Sequence, residues 1–76
     1  MPAHNRAILE QMLPKAESLV ARGAERVRAQ EARVTCLEHK GAVADQSKKL
    51  LAIMQQTQEL QIEHVALLRR ELVGSA

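Results

Sequence analysis

Glu38-His39-Lys40-Gly41-Ala42-Val43-Ala44-Asp45 is the stretch on which the fold turns. His39 and Lys40 put basic groups near the negative end of a helix dipole, and Gly41 can take the left-handed conformation that follows a last helical turn. A few residues later Asp45 is favourable in the first turn of a second helix. A connection this short makes the two helices antiparallel neighbours.

Upstream of the turn, Leu13, Ala16, Val20, Gly23, Val27, Gln30, Val34 and Leu37 follow at alternating steps of three and four, a sustained heptad seam. Ala16 and Gly23 are small enough to let another helix approach closely. Before the seam, Asn5 is a good N-cap and Ile8, Leu9, Met12 and Leu13 have helical spacing. Pro14 then has no N–H to give the Glu10 carbonyl and clashes with it, so the spacing predicts a short or kinked helical arm over 5–13 and a first main helix over 14–40.

Downstream, Ala44, Ser47, Leu51, Met54, Gln58, Gln61, Val65, Leu68 and Leu72 form the seam of a second main helix over 44–73, with a fraying end at Val73-Gly74-Ser75-Ala76. Leu50, Ile53, Leu60 and Leu67 lie beside that seam, and Lys49, Gln56, Glu63 and Arg70 make a polar stripe opposite. The apolar arc is wider than one partner helix needs. Each main helix would span roughly 30 residues, on the order of 45 Å at about 1.5 Å per residue, and two such rods have no compact interior for a pocket.

The whole chain, 1–76, reads as one all-α domain, an antiparallel two-helix hairpin. At 76 residues it is marginal without reinforcement. A single cysteine, Cys36, rules out an intrachain disulfide and fits a reducing cytoplasm. Phe, Tyr and Trp are absent, which removes both the usual anchors of a small core and the platforms on which single-stranded bases stack. Self-association is the remedy left: the expected assembly is a helical bundle, most simply a two-fold dimer with four helices, closed over Leu50, Ile53, Leu60 and Leu67.

Gln30, Gln58 and Gln61 are expected to form a polar layer in the aliphatic seam. With the turn centred near 41–42, Gln30 would face Met54, Thr57 and Gln58, and Gly23 would come near Leu60 and Gln61. Such a layer fixes register at some cost in stability.

Eleven Lys and Arg against nine Asp and Glu leave a net charge of +2 with interspersed signs, a solvated surface more than a polyanion footprint. Arg22, Arg26, Arg28 and Arg33 form the most positive stretch and the candidate phosphate contacts of an alternative, a nucleic-acid-binding hairpin dimer. Glu25 and Glu31, spaced to pair with Arg28 on either side, make a salt-bridged face the better expectation.

Gly23-Ala24-Glu25-Arg26-Val27-Arg28-Ala29-Gln30, Leu37, Gly41, Leu50-Leu51, Gln58, His64 and Leu68-Arg69-Arg70-Glu71-Leu72 together resemble a group of short, uncharacterised helical proteins common in alphaproteobacteria. The resemblance runs from about Ala16 to Leu72. It departs at Ala42-Val43-Ala44, where that group often carries polar caps. It implies a helical hairpin and no chemistry.

Candidate chemistry is sparse. His4, His39 and His64 are scattered, and Cys36 with His39 lacks two further zinc ligands, so no metal or cofactor is expected. His64, on the flank of the apolar arc, could make assembly sensitive to pH. Phosphate loops, nucleophile elbows and paired catalytic carboxylates are missing. No secretory h-region and no membrane-length apolar run occur. The expectation is a cytoplasmic, non-enzymatic interaction module that pairs with itself and can dock another protein, with neither a nucleic acid nor a membrane as partner.

Overall fold

The computed structural model describes residues 3–74, with side chains from Arg6 onward. Two helices account for nearly all of it: α1 over Ala3–His39 and α2 over Asp45–Gly74. They pack antiparallel into a rod of 57 × 14 × 13 Å, and the long dimension is what about 37 residues at roughly 1.5 Å each would give. The hairpin is therefore the fold, with helix ends within a residue or two of those expected for the second helix. The side chain of the expected cap Asn5 lies outside the described residues, and α1 begins ahead of it, at Ala3. Ser75 and Ala76 also lie outside them.

The turn forms for the reason its residues suggest. Gly41 has φ 69°, the Ala42 N–H donates to the Leu37 carbonyl at 3.0 Å, and the Gly41 N–H donates to the Glu38 carbonyl at 3.1 Å. This pair of bonds is the Schellman motif, which satisfies the carbonyls that a helix end leaves free. Ala44 then caps α2 through its backbone alone: its carbonyl accepts from the Lys48 N–H at 2.9 Å, and its methyl is buried. Lys48 Nζ reaches back to Glu38 Oε2 at 2.8 Å. That hydrogen bond, and the carboxylate's charge after it, hold the Lys48 ammonium above its ordinary pKa.

Helix α1 runs through Pro14 without a break, so residues 5–13 are its first turns and not a separate short helix. Leu9 and Ala16, on either side of the proline, are both buried in one cluster with Val65 and Leu68, and Leu13, Val20 and Leu72 pack against it. Those contacts hold the helix against α2 on both sides of the proline. Pro14 itself is exposed, so the Glu10 carbonyl that it leaves without an N–H is on the water side.

Along the seam the aliphatic cluster fills the open end, and Val34 and Ala44 are buried near the turn. Two glutamines lie between. Gln58 Nε2 donates to the Val20 carbonyl at 2.7 Å, and Gln30 Nε2 donates to the Ser47 carbonyl at 3.0 Å. Each amide thus crosses to the backbone of the opposite helix.

Candidate functional site

The two sides of the hairpin differ. On one, Leu19, Arg22 and Arg26 of α1 and Ile53 and Thr57 of α2 line a shallow groove over Gly23, Met54, Gln58 and Gln61. Arg33 and Leu50 flank the same side nearer the turn. Residues a heptad away share a flank, so Met12 stands in line with Leu19, Lys15 and Ile8 with Arg22, and Leu60 and Leu67 with Ile53.

The four residues expected at an oligomer interface all lie on this flank and are open to solvent: Leu50 is 49%, Ile53 60%, Leu60 62% and Leu67 45% exposed. Ile8, Met12 and Leu19 extend the surface onto α1 and are exposed as well. The sequence reading missed them. Their signal was present in the step of seven from Met12 to Leu19, but it becomes visible only once the seam says which side of α1 they occupy. His64 is exposed beside Leu60 and Leu67.

The basic residues divide. Arg22, Arg26 and Arg33 share the apolar flank, whereas Arg28, one heptad from Ala21, belongs to the opposite side with Glu17, Ile62 and Arg69. Neither Glu25 nor Glu31 pairs with Arg28 among the described residues; the ion pairs there are Arg6–Glu10, Lys48–Glu38 and Arg69–Glu17. Long exposed side chains gain little from such pairs and lose rotamer freedom, so helical spacing alone does not require a pair to form.

The glutamines do not form a single layer. Gln30 meets Ser47 rather than Met54, Thr57 and Gln58. A helical carbonyl points toward its own C-terminus, so the Ser47 carbonyl reaches up the seam, away from the turn, toward Gln30. Gln58 and Gln61 instead converge on Gly23, where a Cβ would collide with Gln58 Oε1 and lie 3.3 Å from Gln61 Oε1. Gln58 Oε1 is buried without a hydrogen-bond partner. The Val20 carbonyl requires a donor, so the amide cannot be reversed to cure this.

Among the described residues, no group of three or more His, Cys, Asp or Glu could hold a metal ion, and no helix is long and apolar enough to cross a membrane. Cys36 is exposed. No protein-family model, characterised protein or solved structure was found to match the chain, so any functional reading rests on its own residues.

Proposed function

We propose that this chain is a cytoplasmic structural and interaction module, a helical hairpin that associates with further copies of itself and acts as a scaffold or adaptor rather than an enzyme. One observation carries the reading: Leu50, Ile53, Leu60 and Leu67 are each about half exposed along one continuous flank. Contiguous apolar surface of this kind marks an interface. The interior supports it, because no large side chain among the described residues is fully buried. A hairpin with so thin a core gains most of its missing burial by covering the flank.

Sedimentation and far-UV circular dichroism over a dilution series test this. The wild type should associate, and Leu60→Glu, by placing a charge in the covered surface, should lower mass and helicity together. A wild type that is monomeric yet fully helical at high concentration would overturn the proposal.

Arg22, Arg26 and Arg33 on one flank favour a second reading, contacts to nucleic-acid phosphates. Phosphate binding falls steeply with salt, as apolar docking does not. Mobility shifts at physiological salt should show no sequence-selective binding, and tight selective binding lost in Arg26→Glu would promote the second reading over the first.

A further inference from the structure

We propose that copies of this hairpin stack flank on opposite flank, the apolar basic side of one against the acidic, alanine-lined side of the next, so that assembly is open-ended. The inference rests on the self-association reading above and specifies which surface meets which.

The apolar flank is poorly suited to pairing with itself. It carries Lys15, Arg22, Arg26 and Arg33, none of which forms an ion pair among the described residues. Its acid is Glu71, two heptads beyond Thr57. A two-fold axis in this flank perpendicular to the rod would set the cations of α1 against those of the other copy's α1 as water is excluded, and like charges across an interface oppose association.

The opposite flank has the complementary character. Glu17 and Arg69 frame a recess floored by Val20 and Val65 and walled by Ala21, Ala66 and Ile62. Heptad steps from Glu17 add Glu10, Glu31 and Glu38, and steps back from Ala66 add Glu59, Ala52 and Asp45. Glu10, Glu17 and Glu38 are paired within the hairpin, while Glu31, Asp45 and Glu59 form no ion pair among the described residues. Arg28, Lys48 and Arg69 are its cations, so acid exceeds base here as base exceeds acid opposite. The net charge of +2 conceals this division.

Shape follows charge. Ile8, Met12, Leu19, Leu50, Ile53, Leu60 and Leu67 project from one side, whereas on the other Ile62 stands among exposed Ala7, Ala21, Ala52 and Ala66, which leave room around it. Large side chains on one face and small ones on its partner allow close packing of helices. The two surfaces point in opposite directions, so each added copy presents a fresh flank and the series does not close on itself. Helix pairs repeated in this way are the stacking unit of α-solenoids.

Two double variants of the full chain test the idea by sedimentation over a concentration series: Arg26→Glu with Arg33→Glu on the basic flank, and Glu31→Arg with Glu59→Arg on the acidic one. All four positions are exposed and make no ion pair that folding would lose. The wild type should grow in mass beyond a dimer as concentration rises. Each variant alone should associate more weakly by about tenfold or more, and an equimolar mixture of the two should recover wild-type mass, because each then offers the flank that the other lacks. A wild-type mass that stops at a dimer and is unchanged in the Glu31→Arg, Glu59→Arg variant overturns stacking and leaves self-association standing. A wild type that stays monomeric overturns both. Monomers that bind vesicles of phosphatidylserine with phosphatidylcholine, and not phosphatidylcholine alone, would instead assign the basic flank to an anionic lipid surface.

Discussion

Gly41 and Gly23 each lack a side chain for opposite reasons, one conformational and one spatial. At Gly41 a Cβ would meet nothing within 4 Å, so the cost of adding one is the positive φ alone. Gly41→Ala should therefore destabilise by about 1 kcal/mol or somewhat more, and Gly41→Asn by less, since asparagine tolerates the left-handed region. Equal urea midpoints for the two variants would contradict this. Gly23 has ordinary helical backbone, and its hydrogen marks the place where Gln58 Oε1 sits. Gly23→Ala should gain about 1 kcal/mol of helix propensity but displace Gln58 from the Val20 carbonyl and lose at least as much. In a Gln58→Ala background the same change should stabilise. The reversal of sign across this double-mutant cycle is the measurement, and a stabilising Gly23→Ala in both backgrounds would show that the amide makes no net contribution.

For α1 the question is whether it is one element or two. Because α1 passes through residue 14, Pro14→Ala restores an N–H for the Glu10 carbonyl and removes a steric clash, and the hairpin should gain about 1–3 kcal/mol. Were a second helix to start at residue 14, proline would suit its first turn and the substitution would gain little. Chemical denaturation distinguishes the two. The stability of α1 across this point comes from Leu9 and Ala16 against α2, so it is tertiary packing that overrides local propensity. The opposite holds at the turn, where the Schellman bonds are local and Gly41 announced them.

A rod 57 Å long and 14 Å wide exposes most of its surface, and its aliphatic cluster lies at one end. Stability that depends on neighbouring copies must depend on concentration. Under the proposed self-association, a tenfold dilution should lower the thermal midpoint by roughly 5 °C for a chain of this size. A midpoint independent of dilution over several decades would show that the hairpin stands alone. Raised salt should weaken a charge-matched stack more than a purely apolar one, since exposed charges are screened beyond about 10 Å at 0.1 M.

The sequence by itself determined the two helices, the seam between them and the break at Gly41, because each is written in spacing within a few residues and helical bonds are local. It also made Leu50, Ile53, Leu60 and Leu67 legible as a row beside the seam. Only the tertiary structure decided the continuity of α1 through Pro14, the separate levels of Gln30 and Gln58, and the side of the hairpin to which each charge belongs. Glu25, Arg26, Arg28 and Glu31 are mixed when read along the chain, yet Arg26 stands with Leu19 and Ile53, while Arg28 and Glu31 fall on the side of Glu17 and Arg69. The physical reason is that a helix assigns residues to faces by angle. Which face is a flank, and which residues of the second helix share it, is fixed only when the partner helix has taken the seam.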